Sequence, residues 1–309
     1  MDDSWNNARQ LAQFQALWER RPCVTKRHTR ESWDLRAQSW ENGLRSNEAK
    51  RQRSEQRVAA TAEFLRAHGL LGPDCEAIDI GCGPGRFVAE FARTAKHVVG
   101  TDLSPQMLEY AQAFSREQGL ENTSFVPCDF KQADLDELGW RGRFDLVFTS
   151  ITPAVSGSAG LEKAMAMSRG WCFNASFLTW RDEFLELVSQ EVFGRKAPQR
   201  WDGRSSYALF NLLWLRGWHP YVSYYTERSM DRYTPDHTLA LTLAENLGID
   251  PDDRASVESI YRFVMEKAGQ DGQLCYGFEC RYIWLLWNVN DRMERASYEL
   301  PPAKAGQRT

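Results

Sequence analysis

Residues 77–87 read Ala77-Ile78-Asp79-Ile80-Gly81-Cys82-Gly83-Pro84-Gly85-Arg86-Phe87, a short apolar run that passes straight into three alternating glycines. Without a Cβ, Gly81, Gly83 and Gly85 let the backbone turn sharply and let a ligand come close to it. A helix is expected just beyond them, with its free N–H groups directed at that ligand. A second apolar run, His97-Val98-Val99-Gly100-Thr101-Asp102, ends on an acid 21 residues beyond Gly81. That offset is close to the roughly 20 residues expected when a carboxylate grips a ribose hydroxyl at the end of the neighbouring strand. Together the two runs predict a nucleoside-containing cofactor lying across the carboxyl ends of two adjacent parallel strands.

The glycine spacing narrows the choice of cofactor. Dinucleotide sites need G-x-G-x-x-G/A, whose last small residue allows close helix–strand packing. Here the spacing is G-x-G-x-G and that last position is Arg86, which argues against NAD and FAD. No Lys follows the glycines, so the phosphate-cradling G-x-x-x-x-G-K-[ST] pattern is absent too.

Asp79-Ile80-Gly81-Cys82-Gly83-Pro84-Gly85, an acid followed by G-x-G-x-G, resembles the first motif of the class I S-adenosylmethionine-dependent methyltransferases. Three further stretches follow in that family's order: Gly100-Thr101-Asp102-Leu103-Ser104-Pro105-Gln106-Met107-Leu108, Phe125-Val126-Pro127-Cys128-Asp129-Phe130, and Phe144-Asp145-Leu146-Val147-Phe148-Thr149-Ser150. The resemblance implies S-adenosylmethionine as cofactor and assigns roles to these residues. Gly81, Cys82, Gly83 and Gly85 would form the cradle, and Asp79 would favour the methionine ammonium through water. Asp102 would accept from the ribose hydroxyls, with Leu103 and Met107 on the turn and helix that follow. Asp129 would accept from the adenine amino group, with Phe130 and Leu103 flanking the ring. Ser150 and Thr149 would lie beside the methionine part. A cationic sulfonium suits a site rich in carboxylates. The structural alternatives are a plain strand-to-helix turn at the glycines, a helix N-cap at Asp102 and a solvated loop acid at Asp129.

Size and composition set the remaining bounds. The chain has 309 residues, 42% hydrophobic content and a formal net charge of −4. That charge offers no general attraction to nucleic acid or anionic membranes. No apolar run approaches the roughly 18 residues of a membrane span. The acidic, polar start Met1-Asp2-Asp3-Ser4-Trp5 is unlike a secretory signal. Seven cysteines without paired metal spacing suit a reducing cytoplasm. Five scattered histidines and the isolated Cys275 and Cys280 suggest no metal site.

Alternation of strand and helix signals from residue 77 onward predicts an α/β fold. The expected sheet is Rossmann-like, doubly wound and seven-stranded, mostly parallel, with an antiparallel strand seven. Residues 1–60 read as a helical N-terminal cap containing Trp5, Phe14, Trp18, Trp33 and Trp40. One helix places Trp33, Ala37 and Trp40 on one face, and another runs from Ser54 to Gly69. Residues 61–300 read as the methyltransferase domain, with helical insertions near 181–218 and 234–270, and 301–309 as a tail. Strands five, six and seven are predicted at Trp171–Phe177, Pro220–Tyr225 and Leu274–Asn288. The second insertion is expected to cap the strand ends.

The acceptor is less legible. Methyl transfer is an in-line displacement that needs alignment and exclusion of water, and a base only when the acceptor must lose a proton. Thr149-Ser150-Ile151-Thr152-Pro153 lacks the polar-Pro-Pro-aromatic element of amino methyltransferases that act on DNA bases or glutamine. His219, His237, Tyr224 and Asp231 are the candidate bases, each with an ordinary structural role as its alternative. Phe210, Trp214, Trp218, Tyr221, Tyr224 and Tyr225 suit an apolar or planar small molecule, or line a core. The first expectation is therefore a cytoplasmic enzyme acting on a small molecule, as a monomer or homodimer. An RNA methyltransferase is the alternative, since residues 1–60 carry twelve Lys or Arg against eight Asp or Glu, with Lys50-Arg51-Gln52-Arg53 clustered. A non-catalytic cofactor-binding sensor or partner protein is the third reading.

Overall fold

The computed structural model describes residues 7–19, 29–34, 37, 48–199, 203–269 and 272–293. Four short strands come first: β1 (Glu76–Ile80), β2 (His97–Asp102), β3 (Thr123–Pro127) and β4 (Phe144–Ser150). Three long ones follow: β5 (Ser168–Asp182), β6 (Tyr221–Tyr233) and β7 (Leu274–Asn288). They form one sheet in the order β3-β2-β1-β4-β5-β7-β6, with β7 antiparallel to both of its neighbours. The chain therefore has the expected α/β architecture with its reversed seventh strand.

The strands are apolar on both sides, as a sheet covered by helices on both faces requires. On one face Ile78, Ile80, Val147, Ile283, Leu285 and Trp287 meet Trp18 of α1 (Asn7–Glu19), Leu161 of α5 (Gly157–Met167) and Leu209, Leu212 and Leu213 of α7 (Arg204–Leu215). On the other face Ala77, Val98, Leu146, Phe148, Phe173 and Trp284 meet Leu65 of α2 (Glu48–Ala67), Phe91 of α3 (Arg86–Ala92) and Leu108 of α4 (Pro105–Glu117). The Phe148 and Phe173 rings stack at 4.9 Å, and Phe91 meets Phe148 edge-on at the same separation. Removing such a ring costs about 3–5 kcal/mol.

Strands five and six correct the sequence reading, because both run well past their expected ends at Phe177 and Tyr225. Residues 226–233 are mostly polar and carry a weak strand signal. Pairing with β7, which continues to Tyr233↔Leu274, holds them extended. The overshooting ends of β5, β6 and β7 form an arm that rises past the carboxyl ends of the parallel strands. From Ser223, level with Ser150 through Trp284 and Ala175, to Tyr233 is ten residues, or roughly 30 Å.

At the arm's tip, α6 (Glu183–Phe193), α8 (His237–Asn246) and α9 (Arg254–Lys267) enclose a separate small core around Phe184, Val188, Leu243 and Ile260. The insertion predicted near 181–218 divides: its first helix joins this tip, whereas α7 returns to cover the sheet.

The N-terminal region contributes to both faces. Gln15 Nε2 of α1 donates to Ser158 Oγ at 2.9 Å, and Trp18 is buried in the core. On the other face α2 has apolar burial only from Val58 onward. Upstream of that, Arg57 pairs with Glu227 at 2.8 Å and donates to Tyr282 OH at 2.8 Å, while Arg53 pairs with Asp231 and Ser229. Residues 30–34 and Ala37 are helical, with Trp33 half-buried and Ala37 buried. Trp5, Trp40 and the tail at 301–309 lie outside the described residues.

Candidate functional site

The register of the sheet places the predicted motifs side by side. Asp79 pairs across to Gly100 on one side and Phe148 on the other, and Asp102 is opposite Pro127. All the carboxyl-end turns therefore open at one edge of the sheet. Gly81 N and Cys82 N both donate to Thr101 O, at 2.7 and 3.0 Å, so the glycine turn is tied to the end of β2.

The glycines are required by geometry. Gly81, Gly83 and Gly85 all have positive φ, at 74, 52 and 73°. A Cβ on Gly85 would lie 2.7 Å from Ala111 Cβ of α4, and one on Gly81 would lie 2.1 Å from Thr152 Oγ1. Cys82 is buried behind the turn, and burial pushes its thiol well above its ordinary range. Arg86, the bulky residue that excluded a dinucleotide pattern, lays its guanidinium over the Phe114 ring at 3.7 Å.

Two acids define the electrostatics. Asp79 is 2% exposed, and its Oδ2 has no hydrogen-bond partner among the described residues. Burial, and next the charge of Asp102, hold its carboxyl well above the ordinary range. Asp102 is the better solvated by the protein: Oδ2 accepts from Gly83 N and Oδ1 from Ser104 N, both at 2.9 Å. Burial still raises its carboxyl, and the charge of Asp34 adds to the effect. Ser104 begins α4, with its Oγ accepting from Met107 N at 3.2 Å. Met107 is buried and Leu103 half-buried.

Asp129 and Phe130, expected beside an adenine, occupy different settings. Asp129 is exposed, and its Oδ1 accepts from Lys131 N at 3.1 Å. Phe130 is buried in the core beneath Lys163, whose Nζ donates to the carbonyls of Phe130, Lys131 and Ala133.

At the other end of the crevice Ser150 Oγ is buried without a hydrogen-bond partner among the described residues. Thr149 Oγ1 donates to Phe173 O at 2.9 Å and accepts from Asn174 Nδ2 at 3.0 Å, while Ser176 Oγ donates to Asn174 Oδ1 at 2.8 Å. Ile151 follows with φ +54°, a left-handed conformation that a β-branched residue adopts only under constraint. That turn sets the Thr152 side chain directly on Gly81. Thr152, Asn174 and Ser176 were not singled out by the sequence reading. A Thr-Pro pair just past a strand end was the available signal for the first.

The candidate bases do not converge on this crevice. Tyr221 is level with Asp79 through Leu286, Phe173 and Phe148, so His219 falls on the amino-end side, and its ring meets Trp214 edge-on at 4.3 Å. His237 starts α8 at the arm tip, facing Tyr261. Asp231 is engaged by Arg53. Tyr224 sits at crevice height on the outermost strand, 51% exposed, with the Arg281 guanidinium 4.7 Å from its ring. On the arm past Ser150 the Phe177 and Tyr282 rings lie 5.2 Å apart, with Tyr282 buried.

Residues 71–168 match the family model described as a methyltransferase domain. The 23S rRNA (uracil(1939)-C(5))-methyltransferase RlmD of Shewanella sediminis is 31% identical over 86 residues, 28% of this chain and 19% of that protein. Its counterpart from Burkholderia thailandensis is 33% identical over 104 residues, 33% of this chain and 22% of that protein. The chain thus spans about a fifth of the length of these two curated relatives. Among solved structures, a candidate methyltransferase of Bacillus halodurans C-125 aligns at 16% identity and a TM-score of 0.48, covering 74% of this chain and 99% of that one. Magnesium protoporphyrin IX methyltransferase of Synechocystis, with bound S-adenosylhomocysteine, aligns at 16% identity and a TM-score of 0.41, covering 75% and 84%. No helix among the described residues is long and apolar enough to cross a membrane. The glycine turn, Asp79 and Asp102 thus all lie within residues 71–168, the segment that matches a methyltransferase domain.

Proposed function

We propose that this chain transfers the methyl group of S-adenosylmethionine to a small-molecule acceptor. The observation that carries the reading is Asp79, a buried carboxylate with an orphaned oxygen behind a glycine turn. Such a group is costly unless a partner satisfies it. A ligand bearing an ammonium and a sulfonium supplies that partner, directly or through water. Gly81 and Gly85 hold the turn in its left-handed conformation, packed against Thr152 and Ala111.

In this reading Gly81, Cys82, Gly83 and Gly85 hold the amino-acid end, and Asp102 accepts from the ribose hydroxyls. Asp129 reads the adenine amino group, with Leu103, Met107 and Phe130 shaping that end. Ser150 Oγ serves the methionine end, where it has no partner among the described residues. The bound cofactor supplies an electrophilic methyl group. The chain's own part is to align the acceptor with it and to exclude water. The half-buried Phe177 and the arm offer an aromatic face for that purpose, which favours a planar or apolar acceptor. His219, His237 and Tyr224 stand apart from the crevice, so the reading assigns the reaction no side-chain base.

The names of the curated relatives favour RNA instead, and one observation weighs against it. The basic cluster at 50–53 is largely engaged within the protein, with Arg51 on Glu48 and Glu55 and Arg53 on Asp231 and Ser229. Incubation with methyl-tritiated cofactor, a low-mass metabolite fraction and an RNA fraction separates the readings. Label in a low-mass product supports this proposal, and label in RNA overturns it. Failure of calorimetry to detect the cofactor overturns the methyltransferase reading altogether.

A further inference from the structure

We propose that Asp34, carried by the N-terminal segment, is a cofactor-binding residue that completes, with Asp102, an acceptor pair for the ribose hydroxyls of S-adenosylmethionine. The inference rests on the function proposed above. Asp34 lies in the helical stretch 30–34, 68 residues before Asp102 in the chain, and nothing in the local sequence marks it. Tertiary structure brings it to Ser104, whose Oγ donates to Asp34 Oδ1. The same Oγ already accepts from Met107 N, so its single proton is committed to Asp34. The main-chain N of Ser104 donates to Asp102 Oδ1 at 2.9 Å. One residue therefore holds both carboxylates, one by its backbone and one by its side chain, at the carboxyl end of β2.

Two like charges held this closely disfavour each other. The arrangement acquires a purpose if a ligand presents two donors there. A vicinal diol does so, and each carboxylate keeps lone pairs beyond those used by the protein. The residue also couples the N-terminal segment to the site: cofactor bound at Asp102 would pin residues 30–34 in place. The competing explanation is that Asp34 only supports the amino end of α4, where an anion is favourable in any case.

The experiment is calorimetry on the full chain with two probes, S-adenosylhomocysteine and its 2′,3′-dideoxy analogue, comparing wild type with Asp34→Asn and Asp34→Glu. The expected result is about a tenfold loss of affinity for the hydroxylated probe in Asp34→Asn, partial recovery in Asp34→Glu, and equal binding of the dideoxy probe by all three proteins. Amide exchange at 30–34 should slow on ligand addition in wild type and not in Asp34→Asn. Equal loss for both probes would assign Asp34 to the helix end alone and overturn the proposal. Unchanged affinity in Asp34→Asn would overturn it as well. If wild type binds neither probe, the cofactor reading falls, and this inference with it.

Discussion

In residues 76–150 the strands are five to seven residues long and every carboxyl-end turn feeds one crevice, whereas from residue 168 onward they run for 13 to 15 residues and overshoot it. The first region is cemented by apolar contacts such as those of Phe91 and Phe148. The arm is cemented in large part by charge, through Arg57 with Glu227 and Tyr282 and Arg53 with Asp231. The contrast follows from what each region has to fit. The short strands and close turns are where the methyltransferase family model matches, over 71–168. On the function proposed above, the arm is the part left to face the methyl acceptor.

The largest expected effect breaks the arm. Arg57→Met should leave Glu227 buried beside Tyr282 without its cation and cost about 3–5 kcal/mol in urea unfolding. Adding Glu227→Gln should recover much of that loss. A cost under about 1 kcal/mol for Arg57→Met would mean that the arm stands without its charges.

Gly85→Ala tests the other region. The new Cβ meets Ala111 on a left-handed backbone, so a loss of about 1–3 kcal/mol is expected, together with weakened cofactor binding. Normal binding by this variant would show that the turn is not a cofactor cradle.

Asp79→Asn should separate stability from function within the first region. Its carboxyl is raised in the folded protein above the unfolded value of 3.8, so the fold binds its proton more tightly than the unfolded chain does. Its contribution to stability therefore falls as pH rises from about that unfolded value through the folded one. At neutral pH, Asp79→Asn should stabilise the ligand-free chain by up to about 1–3 kcal/mol while weakening S-adenosylmethionine in calorimetry. Destabilisation at neutral pH would mean that the carboxylate has a partner within the protein.

The smallest expected effect sharpens the assignment of roles. His219→Gln should leave both the pH profile of methyl transfer and the cofactor affinity unchanged, because the ring packs on Trp214 away from the crevice. A shifted profile would reinstate it as a base.

Much of the fold was readable because its signals are local. Alternating glycines, two acids at strand ends and regular apolar runs mark β1 to β4 without reference to anything distant, and Ser104-Pro105 marks the start of α4. Residues 226–233 were not readable as strand, since their extension comes from β7, some fifty residues later, and from arginines on α2. The site divides in the same way. Asp79, Gly81, Gly83, Gly85 and Asp102 converge as their spacing suggested. Thr152 reaches Gly81 only through the left-handed turn at Ile151, and Asp34 reaches Ser104 only by the docking of the N-terminal segment.

The amino-acid sequence by itself determined the class of fold, the glycine turn and the kind of ligand that a pair of acids at neighbouring strand ends can hold. Tertiary structure alone decided the length of the arm, the return of α7 to the sheet, the distance of His219 and His237 from the crevice and the arrival of Asp34. The physical reason is that backbone conformation and apolar periodicity are written within a few residues. The pairing of charges and the height of one strand beside another exist only once distant segments share a surface.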